Sequence, residues 1–201
     1  MMRIYLLRHA LIDWNIEGRI PGISSRFHLN EEGVKQSKDV ASRLSEVPFR
    51  RILTSPLERA MQTAEIVNIY HNLEIEVDNR LTDWDLGPWS GLTIQQIRKQ
   101  YPDDYRIWQE RPEDLALQGQ ELLATVADRL VSVLQGLVDQ RDIECVLLVS
   151  HLDPLAALMC RLVGAPLSSI YSFRLQPAGF TEWLYEEHRF KLRHFAGPNS
   201  L

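Results

Sequence analysis

Cys145-Val146-Leu147-Leu148-Val149-Ser150-His151 is the stretch that decides the fold. Five consecutive apolar residues without alternation read as a strand covered on both faces, which is the signature of a central parallel strand. The run stops on Ser150-His151, and Pro154 then opens a helix to about Val163. Two other places repeat the pattern. Ile4-Tyr5-Leu6-Leu7 ends in Arg8-His9. Arg51-Ile52-Leu53 ends in Thr54-Ser55, where Ser55 as N-cap and Pro56 at the first helical position predict a helix to about Tyr70 that carries Arg59.

Between these anchors strand and helix alternate. Asn30 before Glu31-Glu32 starts a helix, with Val34, Val40, Ala41 and Leu44 at helical spacing to about Glu46. Leu73 to Val77 alternates apolar and acidic residues and reads as a half-buried strand. Thr93 to Tyr101 reads as a short helix, Pro102 to Gln118 as an irregular insertion, and Gly119 to about Gln140 as a long amphipathic helix. Ile170 to Leu175, Phe180 to Glu186 and Phe190 to Phe195 read as terminal strands, partly antiparallel. The expected fold class is α/β, a three-layer α/β/α arrangement with a mostly parallel central sheet. The expectation is one domain over residues 1–201, with the insertion at about 91–118 covering the active site.

Composition narrows the function. The 201 residues are 45% hydrophobic and 24% charged, which is globular rather than disordered. A formal net charge of −5 speaks against nucleic acid or an anionic membrane surface as partner. No apolar run reaches the roughly 18 residues of a spanning helix, and the N-terminus lacks the form of a signal peptide. Cys145 and Cys160, both in apolar stretches, read as reduced core thiols and point to the cytoplasm. No exposed apolar stretch is obvious in the sequence, which leaves the oligomeric state open.

In open α/β sheets ligands sit outside the carboxyl ends of the strands. His9, His151, Arg8 and Arg59 are therefore expected to converge. Two arginines at one site suggest phosphate, whose oxygens match the guanidinium fork. A histidine among cations stays neutral and keeps a lone pair for attack, so a phosphate-directed nucleophile follows.

The same residues carry a resemblance. Arg8-His9, with Trp14-Asn15 in register, is similar to the opening motif of the histidine phosphatase superfamily in its phosphoglycerate mutase-like branch. Thr54-Ser55-Pro56-Leu57-Glu58-Arg59-Ala60-Met61-Gln62-Thr63-Ala64 matches the second motif almost residue for residue. Leu81 to Gly91 resembles the acidic-loop motif, and Val149-Ser150-His151 the last one. The resemblance implies that His9 attacks phosphorus and becomes a phosphohistidine. Arg8, Arg59 and His151 would bind the phosphoryl oxygens, with Asn15 and the Leu152 backbone N–H as further donors. Asp83 would protonate the leaving oxygen and then activate water. No metal and no cofactor are implied, because the arginines supply the cationic clamp, and the substrate would be a small phosphorylated metabolite.

The chain departs from the pattern in three places. Ala10-Leu11-Ile12 replaces Gly-Glu-Thr, Leu152-Asp153 follows His151 where Gly is usual, and Asp83 stands for Glu, with Asp85 as its rival. The expected activity is hydrolysis of a small phosphomonoester. The alternatives are phosphoglycerate mutase, disfavoured by the short stretch between Asp83 and His151, and a non-catalytic phosphate-binding relative, motivated by the loss of Gly-Glu-Thr.

Overall fold

A computed structural model describes residues 1–24, 26–140 and 144–196. Its centre is a six-stranded sheet in the order β3-β2-β4-β1-β5-β6. The strands are β1 (Met2–Arg8), β2 (Arg51–Thr54), β3 (Ile75–Val77), β4 (Cys145–Ser150), β5 (Phe180–Glu186) and β6 (Arg189–Ala196). β4 lies between β1 and β2, parallel to both, and each of its six residues is buried. The unbroken apolar run thus marked the centre of the sheet. β3 continues the parallel half, and β5 and β6 add an antiparallel edge.

Side-chain alternation along the strands builds two cores. Ile4, Leu6, Val146 and Leu148 enter one cluster, and Tyr5, Leu7, Leu147 and Val149 the other. The first is closed by α6 (Leu123–Val138) and α7 (Leu152–Val163), the second by α2 (Glu31–Leu44) and α3 (Glu58–Asn68). Helices on both faces are what a parallel sheet buried on both sides requires. Trp84 and Trp89 belong to the first core and are essentially inaccessible, so they pack rather than stack on a ligand.

Several boundaries correct the expectation. The Ser55-Pro56 pair does not begin a helix: α3 starts at Glu58 with Leu57 at the N-cap position. The Ser55 hydroxyl accepts from the Leu57 N–H at 3.3 Å, a cap-like bond, and also meets His151 Nε2 at 2.8 Å. Ile170 to Leu175 is not a strand, because Leu167–Ser172 forms a 3-10 helix after Pro166 and buries Leu167 and Ile170 three residues apart. Pro102 to Gln118 is not irregular throughout. Pro102 fixes the first turn of α5 (Pro102–Glu110), aspartates at 103 and 104 favour its positive end, and Trp108 is its buried anchor. α7 begins at Leu152, two residues before Pro154, and α6 only at Leu123, because Gly119 turns at φ +78. β3 is shortened to three residues. The remaining helices are α1 (Asp13–Ile16) and α4 (Ile94–Gln100). Among the described residues no helix is long and apolar enough to cross a membrane.

Candidate active site

Strand register brings the two histidines together. Arg8 pairs with Ser150 across β1 and β4, so His9 and His151 leave adjacent strands at the same level, with ring centroids 5.1 Å apart. The His9 backbone is pinned on two sides: its N–H donates to Ser150 O (2.9 Å), and its carbonyl accepts from Ala178 N (3.2 Å).

The His9 ring is buried, and its Nδ1 lies 2.7 Å from the Ala10 carbonyl. A carbonyl only accepts, so Nδ1 carries the hydrogen and Nε2 keeps the lone pair in the neutral ring. Burial, with the charges of Arg59 and Arg8, holds the His9 pKa well below its usual value. His151 is lowered in the same way by burial and Arg59. Its Nε2 is 2.8 Å from Ser55 Oγ, while its Nδ1 faces Asp83 Oδ2 at 3.5 Å. Ser55 thus orients His151, a role that its N-cap reading hid.

Arg59 is fully buried at the start of α3. Its Nη1 donates to Ser24 O (3.1 Å), and its Nη2 to Gly22 O (2.9 Å) and Asp83 Oδ2 (2.9 Å). Arg8 donates from Nη1 to Leu175 O at 2.7 Å, and burial lowers its pKa to about 10. Both guanidiniums keep a buried Nε without a partner among the described residues, and His151 Nδ1 likewise has no hydrogen bond. Buried unpaired donors are rare and mark a place where an acceptor binds. The two guanidinium Nε groups, whose charges both act on His9, are the kind of donor an anion site uses.

Arg8, His9, Asn15, Asp83 and Leu152 line a common cavity of about 220 Å³. Arg59 and His151 stand behind this lining, in contact with Asp83. Asn15 accepts from Ile12 N through Oδ1 (3.2 Å), which leaves its amide donors for a ligand. Leu152 opens α7, whose first N–H groups have no intrahelical acceptor. Asp83 and Asp85 differ in position. Asp85 Oδ1 accepts from Gly87 N in a turn, and Asp85 is not part of the cavity lining. Arg19 reaches the cavity but is held by Glu17 and the Gly91 carbonyl.

The departures around His9 repack without loss of the backbone geometry. Ala10 stands outside the positive-φ residues, so glycine is not required there. Its N–H donates to Thr63 Oγ1 (3.1 Å), and the Leu11 N–H to Gln36 Oε1 (3.1 Å). Asp153, Tyr171 and Arg174 also line the cavity and were missed from sequence, while Ile94, Trp108 and Gln109 reach it from the segment that the sequence reading set over the site.

A parallel sheet covered on both faces, with neutral histidines set against buried arginines at its strand ends, defines an α/β enzyme built to handle a phosphoryl group. Residues 4–197 match the family model of the histidine phosphatase superfamily (branch 1), and the chain belongs to that superfamily. It is 35% identical over 189 residues to phosphoserine phosphatase 1 of Hydrogenobacter thermophilus, covering 94% of this chain and 89% of that one. The Bacillus stearothermophilus protein YhfR superposes with a TM-score of 0.90 at 30% identity, over 96% and 95% of the two chains. A mycobacterial glucosyl-3-phosphoglycerate phosphatase complexed with VO3 also superposes at 0.90, with 29% identity over 98% of this chain and 100% of that one. The chain is a small-molecule phosphatase of this family.

Proposed function

We propose that the chain is a metal-independent phosphatase that hydrolyses a small phosphomonoester through a phosphohistidine on His9. The observation that carries this reading is the His9 ring, neutral and oriented by Ala10 so that Nε2 holds the lone pair. Nε2 attacks phosphorus, and the bond to the leaving oxygen breaks. Protonated Asp83 gives that oxygen its proton and becomes a carboxylate. Water then attacks the phosphohistidine, Asp83 takes the proton back, and phosphate leaves with His9 neutral again. Arg8, Arg59 and His151, with donors from Asn15 and the Leu152 N–H, hold the charge that develops on the phosphoryl oxygens, which is the main demand of phosphoryl transfer. The inserted segment at about 91–118 acts as the roof of a single domain, since Ile94, Trp108 and Gln109 reach the cavity. Two buried free thiols, Cys145 and Cys160, support a reducing, cytoplasmic location.

The test is phosphate release from p-nitrophenyl phosphate between about pH 5 and about pH 8 with chelator present, for the native chain and His9→Ala. Activity that survives chelator and is lost in the variant is expected, with acid-labile, base-stable phosphate trapped on the native protein. Activity unchanged in His9→Ala overturns the nucleophile. Interconversion of 2- and 3-phosphoglycerate faster than phosphate release would move the reading to a mutase.

A further inference from the structure

Asp83 reaches the cavity from residues 82–86, a stretch without regular structure between the 3-10 turns Asn79–Leu81 and Gly87–Trp89. Such a segment has no ladder of its own for its backbone groups, so other elements must hold it. Ser150 Oγ donates to Leu81 O at 2.7 Å, and the Glu121 N–H to Asp85 O at 2.9 Å. The carbonyls of Arg80 and Asp83 both go to one side chain, Arg129 of α6. Its Nη1 donates to Arg80 O (2.6 Å) and its Nη2 to Asp83 O (3.0 Å). The same guanidinium is gripped side-on by Glu121, from Nε to Oε1 at 2.8 Å and from Nη2 to Oε2 at 3.1 Å. Glu121 also accepts on its backbone carbonyl from Trp84 Nε1 at 2.7 Å. Every nitrogen of the Arg129 guanidinium is thus engaged, and Arg129 is not part of the cavity lining. The only other charged residue of α6, Asp128, turns away to pair with Arg161.

We propose that Arg129 is a positioning residue for proton transfer: anchored by Glu121, it fixes the Asp83 backbone so that the short carboxyl meets the leaving oxygen. The inference rests on the phosphatase reading above, in which Asp83 is the acid, and deepens it. Aspartate has one torsion fewer than glutamate, so the place of its carboxyl follows the backbone closely. A misplacement of about 1 Å at a reacting group can cost about 10²-fold in rate. Holding the Asp83 carbonyl is therefore a direct way to hold the proton where it is needed. The charge of Arg129 also adds, after burial, Arg59 and His9, to the influences that keep His151 neutral.

Two probes of nearly the same shape separate this role from a merely structural one. Phenyl phosphate has the poorer leaving group and needs the proton more than p-nitrophenyl phosphate does. In Arg129→Met, kcat on phenyl phosphate is expected to fall about tenfold or more, while kcat on p-nitrophenyl phosphate stays within about threefold. Arg129→Lys keeps a charged donor and is expected to recover part of that loss. Glu121→Gln keeps an acceptor for the guanidinium without the charge. It is expected to show the same selectivity at smaller size, and it stands in if Arg129→Met does not fold. An equal loss on both substrates, in variants whose melting curves show folded protein, overturns the proposal. The double variant of Arg129→Met with Asp83→Asn tests the route. If Arg129 acts through Asp83, it adds no further loss on phenyl phosphate to that of Asp83→Asn, and losses that multiply overturn the proposal. If Asp83→Asn itself slows both substrates equally, the assignment of the acid falls and the proposal falls with it. If Asp83→Asn separates the two substrates and Arg129→Met does not, the proposal falls alone.

Discussion

Asp83 is held by structural contacts in the place where the proposed mechanism needs an acid. Its Oδ2 is held by Arg59 at 2.9 Å, and its Oδ1 accepts from its neighbour Trp84 N at 2.8 Å. These contacts bring a carboxyl one methylene shorter than glutamate to the cavity where the leaving group must sit. Asp83→Asn preserves the shape but cannot carry the proton. Hydrolysis of an alkyl phosphomonoester is then expected to fall by roughly 10²–10⁴-fold. The loss should be smaller on p-nitrophenyl phosphate, whose leaving group needs no proton. A loss equal on both substrates would assign Asp83 to holding Arg59 rather than to proton transfer. Asp85→Asn is the counterpart. Its carboxylate only closes the turn at Gly87, so a cost of about 1 kcal/mol in stability with the rate retained is expected from melting and steady-state assays.

Helix α2 contributes no side chain to the cavity lining, yet it supports the site. A Cβ at Gly33 would lie 2.1 Å from the Leu11 carbonyl oxygen, so the first turn of α2 packs directly on the backbone that follows His9. Gly33→Ala must push backbone away from backbone. It is expected to lower stability by about 1–3 kcal/mol and to reduce kcat by displacing the Ala10–Ile12 loop, both readable by thermal melting and phosphate release. Such a contact has no signature in sequence, because it joins residues that share no element. What was legible follows from the same logic. β1, β2 and β4 end in polar residues after apolar runs, so Arg8, His9, Arg59 and His151 could be placed at one edge before any coordinates. Asp153, Tyr171 and Arg174 could not. Asp153 stood out only as a departure where Gly is usual after His151, and the latter two lie in a stretch that reads as a strand, where a 3-10 helix follows Pro166 instead. Ser55 has the same root: local capping chemistry accounts for its bond from the Leu57 N–H, but nothing local shows the histidine 96 positions away that shares the hydroxyl.

At the scale of the whole molecule these buried groups set how stability responds to pH. His9 and His151 are kept neutral, with pKa values well below 6.5, chiefly by burial. The unfolded chain would protonate both near pH 6.5 and therefore binds more protons than the native one below that point. Stability is thus complete above pH 6.5 and falls as the pH drops beneath it. Asp153 acts with the opposite sign. Its native pKa is raised from 3.8 to about 6, so the native state holds a proton that the unfolded chain has lost between those values. Asp153 therefore costs stability above about pH 6 and nothing below about pH 4. The charges that face it are Arg8 from β1, Asp83 from the acidic loop and Arg174 from the segment before β5; none of the three is replaced in the test. Asp153→Asn is expected to raise Tm at pH 7 to 8, with a gain of about 1–3 kcal/mol, or roughly 2–4 °C per kcal/mol for a chain of this size. The gain should shrink as the pH falls through 6 and vanish near 4, while both proteins lose stability together as the histidines charge. A Tm difference that stays constant from pH 8 to 4 would show that the carboxyl is not held against its charge.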